Sequence, residues 1–147
     1  MMRKLVIANT GTGNRGKSTS IKEVYKLVTT RYPENIRIIH PLVSGDVKAI
    51  VEVQGVLVGI ESQGDPKSRI FDSLEDFHAA GCGIIVIACR THGDTFNAVD
   101  GMHQCGYQVI WTANDKNWDE DSVVDYLNSK YAEHVVRLIE DRINNKF

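Results

Sequence analysis

Long apolar runs are missing from this sequence. No stretch approaches the roughly 18 apolar residues that cross a bilayer as a helix, so no membrane-spanning helix is expected. The opening Met1-Met2-Arg3-Lys4 leads into only a short apolar run, Leu5 to Ala8. A secretory leader needs a longer one and a small-residue cleavage site, so none is expected. Charge of one sign is missing too. Lys and Arg number 17 against 19 Asp and Glu, for a net charge of -2. With no like-charge run long enough to read as an interaction tail, general nucleic-acid binding and membrane-surface binding are not expected. Cysteine is scarce. Cys82, Cys89 and Cys105 make an odd number with no CxxC pair. A disulfide framework is therefore not expected, and the thiols read as reduced, in a cytoplasmic protein. Cys89, His92, His103 and Cys105 can be imagined as a zinc set. Their spacing matches no common structural zinc pattern, and inert thiols are the expectation.

Repeats, low-complexity segments and Pro/Gly-rich linkers are also absent. The 147 residues, 42% hydrophobic and 24% charged, read as one domain with room for a sizeable core. Strands and helices alternate along it. Lys4 to Asn9 suits a short buried strand, and a glycine-rich turn follows. Residues 17–31 carry Ile21, Val24, Leu27 and Val28 at helical spacing, and Pro33 stops that helix. Ile36 to His40 is a second strand. Val47 to Val53 and Val56 to Ile60 flank Gln54-Gly55, a candidate hairpin turn that would add one antiparallel edge strand. Asp72 or Ser73 can cap a helix running to about Ala80, ended by Gly81. Ile84 to Ala88 is the strongest buried strand in the chain. A short helix over 94–103 ends near Gly106, and Tyr107 to Thr112 is a further strand. Ser122 with Asp125 resembles a capping box. Beyond it Val124, Leu127, Tyr131, Val135 and Leu138 line one face of a long helix. The expected class is α/β: a three-layer sandwich, its sheet mainly parallel with one antiparallel hairpin strand.

Gly11-Thr12-Gly13-Asn14-Arg15-Gly16-Lys17-Ser18 fits G-x-x-x-x-G-K-[ST]. Each part has a job. The glycines let the backbone curl, so that its N–H groups converge on phosphate oxygens. A helix starting near Lys17 adds unpaired N–H groups and a positive dipole end. Lys17 reaches the β- and γ-phosphates, and the Ser18 hydroxyl ligates Mg²⁺. Leu5–Thr19 thereby resembles the P-loop NTPase superfamily. The resemblance implies binding of a nucleoside triphosphate and Mg²⁺ by the backbone of Gly11, Thr12, Gly13, Asn14, Arg15 and Gly16 and by the side chains of Lys17, Ser18 and Thr19. Arg15 is expected to face solvent.

In open α/β sheets, ligands lie beyond the carboxyl ends of the parallel strands. The residues there are Asn9-Thr10, His40, Glu61, Cys89-Arg90-Thr91-His92 and Thr112-Ala113-Asn114. Glu61 stands where the superfamily usually has an acidic residue, and it can hold Mg²⁺ or polarise a water. Glu61-Ser62-Gln63-Gly64 also resembles the D-x-x-G switch of GTPases, with Glu in place of Asp. Asp65 follows, where many GTPases carry a water-orienting Gln, and is the second candidate for metal or water. The alternative for this stretch is a polar loop with a turn at Gly64-Asp65. The guanine-reading N-K-x-D is missing after Ile84–Ala88, so ATP is the expected ligand. Arg90, and after it Arg69, are candidate γ-phosphate clamps. His92 and Asp94 can form a proton-handling pair, or merely a turn and a helix cap. Core packing is expected for Trp111, and a cover over the last helix or an interface for Trp118.

The leading expectation is therefore an Mg²⁺-dependent ATPase with Lys17, Glu61, Asp65 and Arg90 as catalytic candidates and Ser18 and Glu61 on the metal. The alternatives are a small-molecule or nucleotide kinase, although the loops are short for an acceptor domain or a lid, and a non-enzymatic nucleotide sensor. A protein partner coupled to hydrolysis and an oligomer are both compatible with the sequence.

Overall fold

The computed structural model describes residues 2–10, 17–41, 45–64, 69–115, 117 and 119–147, without the side chains of Lys17 and Ser18. Six strands form one sheet: β1 (Leu5–Asn9), β2 (Ile36–His40), β3 (Lys48–Val53), β4 (Val56–Glu61), β5 (Ile84–Ala88) and β6 (Gln108–Thr112). Four helices accompany them: α1 (Lys17–Arg31), α2 (Ile70–Ala79), α3 (Asp94–Asp100) and α4 (Asp121–Ile143). The strand order is β2-β3-β4-β5-β1-β6. The pairs β4–β5, β5–β1 and β1–β6 are parallel, while β2–β3 and β3–β4 are antiparallel. Two reversals cancel, so β3 alone runs against the other five.

The hairpin turn lies at Gln54-Gly55, with φ of 49° and 84°. Two successive left-handed residues make the tight turn whose twist matches that of the strands it joins. The hairpin does not end the sheet. β2 pairs along the outer side of β3, with Ile36 opposite Val51 and Ile38 opposite Ala49, and takes the edge position instead. Periodicity could not show this, because nothing in an apolar alternation states which strand lies beside which.

β1 and β5 are wholly buried, and their continuous apolar runs divide between two faces. Leu5, Ile7, Ile84 and Val86 pack under Ile21, Val24 and Val28 of α1 and under Tyr131, Val135 and Ile139 of α4. Val6, Ala8, Ile85 and Ile87 pack under Ile70, Leu74 and Phe77 of α2 and Val99 of α3. Helices thus cover both sides of the sheet. No helix of the described residues is long and apolar enough to cross a membrane.

Phe77 reaches the sheet because Gly59 leaves room. A Cβ on Gly59 would stand 2.5 Å from the Phe77 ring. Gly59→Ala is expected to cost about 1–3 kcal/mol through this overpacking, read as a lower urea midpoint at unchanged slope.

Buried acids add a pH dependence. The Tyr107 hydroxyl donates to the Cys82 carbonyl at 2.5 Å. Burial pushes the Cys82 thiol from 9.0 up to about 12. Burial, helped by the neighbouring thiols, pushes the Tyr107 phenol from 10.0 to about 12. Burial raises Tyr131 as well. All three are favoured in their neutral forms, so their contribution is whole below the unfolded-state values and is lost as pH climbs toward the folded ones. The melting temperature should hold up to about pH 8.5 and fall steadily from about pH 9 to 11. A flat profile across that window would contradict the burial of these groups.

Helix beginnings depart from the expected caps. α2 starts at Ile70, preceded by Arg69, which makes no side-chain cap. Asp72 and Ser73 therefore lie inside the first turn. The expected helix over 94–103 is α3 followed by a 3-10 turn at Gly101–Cys105, closed by Gly106 with φ of 87°. α4 starts at Asp121, so Ser122 is inside the helix and makes no cap. Asn117 Oδ1 instead accepts the N–H groups of Asp119 and Glu120 at 2.9 and 3.0 Å. The buried stripe of α4 is Asn128, Tyr131, Ala132, Val135, Val136, Ile139 and Arg142. Two polar residues sit on that stripe because they have partners. Arg142 donates to the Arg3 carbonyl and to Gln108 Oε1 at 3.0 and 2.6 Å. Trp111 is not in the core. It lies on the edge strand β6, 37% exposed and stacked on Phe96 at 4.4 Å.

Candidate functional site

The carboxyl end of β1 and the start of α1 bracket residues 11–16. Those residues lie outside the described part of the chain, as do the side chains of Lys17 and Ser18, Asp65, Lys116 and Trp118. Thr19 is exposed in the first turn of α1.

Behind that bracket is a buried polar network. Asn9 donates through Nδ2 to Ser20 Oγ at 2.7 Å and to Asn114 Oδ1 at 3.2 Å. Asn114 Nδ2 donates in turn to Asn128 Oδ1 at 3.1 Å. Thr10 donates from its N–H and its hydroxyl to the Thr112 carbonyl at 2.8 and 3.0 Å. The Thr112 hydroxyl meets the Ala8 carbonyl at 2.8 Å and the Tyr131 hydroxyl at 2.6 Å. The last residue of β1 is thereby tied to β6, α1 and α4. Asn9 Oδ1 is buried and has no hydrogen-bond partner among the described residues. The strand-end rule marks Asn9, Thr10, Thr112 and Asn114. It misses Ser20 and Asn128, whose signal is a polar side chain on the apolar stripe of a helix.

Glu61 ends β4, and β5 separates that strand from β1. Its side chain is fully buried and turned toward α2. Arg69 donates to it from Nε at 2.7 Å and from a terminal guanidinium nitrogen at 3.1 Å. Ser73 Oγ adds a hydrogen bond of 2.6 Å and the Gln63 N–H one of 3.2 Å. A carboxylate offers about four lone-pair directions, and these four contacts occupy them. Arg69, considered as a phosphate clamp, is thus bound to Glu61. Lys48 lies opposite Glu61 in the β3–β4 register, and its Nζ meets Asp76 Oδ2 at 2.5 Å. Gly64 backs onto β5 so closely that a Cβ would stand 2.5 Å from the Ala88 carbonyl.

A second carboxylate, absent from the sequence-based candidates, reaches α1. Ser62, also fully buried, donates from Oγ to Asp46 Oδ1 at 2.7 Å and accepts the Val47 N–H at 2.9 Å. Lys22 Nζ of α1 lies 3.8 Å from the same Asp46 oxygen. Nothing in the stretch Gly45-Asp46-Val47 announces this, since any polar turn before a strand reads alike.

The other candidates are dispersed. The Arg90 N–H donates to Thr95 Oγ1 at 3.1 Å, which ties the start of α3 to the end of β5. His92 Nδ1 lies 3.2 Å from Thr91 Oγ1, and both residues are exposed. His40 ends the edge strand β2, with β3, β4 and β5 between it and β1. Among the described residues, no three His, Cys, Asp or Glu side chains converge as a metal-binding group. No protein-family model, no curated protein and no solved structure matches the chain.

Proposed function

We propose that this chain binds a nucleoside triphosphate with Mg²⁺, ATP being the expected one, and that it hydrolyses it. What supports the reading is G-x-x-x-x-G-K-S at residues 11–18, lying between a wholly buried strand and a 15-residue helix that begins at its lysine. The helices on both faces of a mostly parallel sheet are read as the three-layer sandwich of P-loop NTPases. Lys17 contacts the β- and γ-phosphates, Ser18 the metal, and the amides of residues 11–16 the remaining phosphate oxygens. Arg90, at the carboxyl end of β5 next to β1, is the candidate clamp.

One observation favours a second reading, a sensor that binds without turnover. Glu61 and Arg69 neutralise one another, which removes from this conformation a base and a clamp that the hydrolase reading would use.

The test is a thermal-shift panel of ATP, GTP, CTP and UTP with Mg²⁺. A ligand at about 100 times its dissociation constant adds about 2.7 kcal/mol, or roughly 5–10 °C for a domain of this size. A panel in which no nucleotide raises the melting temperature would sink the proposal. Phosphate release over many turnovers then separates hydrolase from sensor.

A further inference from the structure

We propose that a second copy of this chain docks on the outer edge of β6, its own β6 running antiparallel, so that the two sheets join into one. The inference goes beyond the phosphate loop and does not depend on it.

The hydrogen bonds of that edge are open. β6 pairs with β1 on one side and is the last strand of the sheet on the other. The Gln108 N–H donates to the Lys4 carbonyl, and the Thr112 carbonyl accepts the Thr10 N–H. Residues 108, 110 and 112 therefore turn their backbone groups toward β1. Val109 and Trp111, at the alternate positions, turn theirs outward. None of the described residues pairs with them there. The other edge is guarded. The register of β2 on β3 shifts between Ile38 and His40, Arg37 adds a charge, and Pro41 follows the strand. Bulges, charged side chains and proline are what keep an edge from pairing. Gln108-Val109-Ile110-Trp111-Thr112 has none of them.

The strand also fits itself. With Ile110 on a two-fold axis, Val109 of each copy lies opposite Trp111 of the other. Each of these two pairs exchanges two backbone hydrogen bonds, and together they use every outward group of the strand. Val against Trp is the aromatic–β-branched pairing favoured across strands. Ile110 meets its own copy at the close, non-hydrogen-bonded position. A two-fold brings like residues together, and β6 has no charge to repel its copy. A pair of β2 strands would crowd two arginines into one short ladder. Charge thus admits a second copy at β6 and opposes one at β2. The β6 edge has apolar surface to cover as well. Trp111 is exposed, and the Phe96 ring stacked on it lies 15° from parallel. Val109 and Ile110 are half-buried, one on each face of the sheet.

The test is sedimentation velocity of the full chain over about 1 µM to 1 mM, since one short strand pair is a small interface with a micromolar dissociation constant. The wild type should pass from one chain to two across that range. Trp111→Lys should raise the dissociation constant by about tenfold or more, because each dimer contains the change twice. Trp111→Pro should act alike. The amide it removes points away from β1, so the ladder inside the chain stays whole. Ile38→Lys, on the opposite edge, should dimerise as the wild type does. A wild type that stays a single chain at the top of the range overturns the proposal and leaves the edge to a foreign strand. An unchanged dissociation constant in Trp111→Lys overturns it too, as does loss of the dimer in Ile38→Lys. Should the Trp111 variants fail to fold, hydrogen exchange in the wild type decides. The Val109 and Trp111 amides should slow by about tenfold from the dilute to the concentrated end, while that of Ile110, turned toward β1, stays constant. Equal rates for Val109 and Trp111 at both ends overturn the proposal.

Discussion

Arg69→Met should lower the stability of this protein by about 3 kcal/mol or more, the usual cost of stranding one partner of a buried ion pair. The magnitude follows from the asymmetry of the pair. Glu61 has a side-chain exposure of 0% and Arg69 one of 21%. Removing the guanidinium takes away two hydrogen bonds and leaves a charge with no access to water. Ser73 and the Gln63 N–H remain, and two neutral donors do not balance a buried carboxylate. In thermal terms the loss is roughly 6–12 °C. The double variant Glu61→Gln/Arg69→Met should recover much of it, because the stranded charge is gone. Denaturant titrations of the wild type, both single variants and the double one close the cycle. Equal losses in Arg69→Met and in the double variant would show that packing of the arginine stem, not the ion pair, sets the cost.

Lys17→Ala should abolish nucleotide binding while leaving the fold intact. The ammonium is expected to meet two phosphate groups at once, and each charge-assisted contact is worth about 1.5–3 kcal/mol. Their joint loss weakens affinity by about a hundredfold or more, enough to erase the shift in the thermal panel. Lys17 opens α1, and the described core contacts of that helix come from Ile21, Val24 and Val28, so far-UV circular dichroism and the ligand-free melting temperature should match the wild type. Unchanged ATP affinity in Lys17→Ala would remove the basis of the functional proposal. The two variants separate cleanly. Arg69→Met moves stability, and Lys17→Ala moves binding at constant stability.

Much of the architecture was legible residue by residue. α1 and β2 have the bounds that periodicity and the punctuation of Pro33 and Pro41 predict. β5 was legible because five consecutive apolar residues suit a strand covered on both faces. Gln54-Gly55 was legible as a turn because glycine tolerates the left-handed conformation it adopts there. Helix starts were less legible. A capping signature states only that Ser73 or Ser122 is able to cap, and in the fold the Ser73 hydroxyl goes to Glu61 instead. The apolar face expected of α4, from Val124 to Leu138, does not include Asn128 and Arg142, which the fold buries. Burial of a polar side chain depends on a partner that lies far away in sequence, here Asn114, Arg3 and Gln108.

The candidate site divides in the same way. The proposed phosphate loop is local chemistry, in which eight consecutive residues contain the whole hypothesis, so the sequence by itself supplied that proposal. It also determined the alternating α/β pattern, since strand and helix periods are properties of neighbouring residues. Only the tertiary structure decided which acid faces which helix. Glu61 follows an apolar strand as expected, yet its place on the α2 side and its pairing with Arg69 and Ser73 depend on where that helix lands. Asp46 came to notice solely because β3, β4 and α1 converge around Ser62. Such encounters join residues distant along the chain, and no pattern of near neighbours records them.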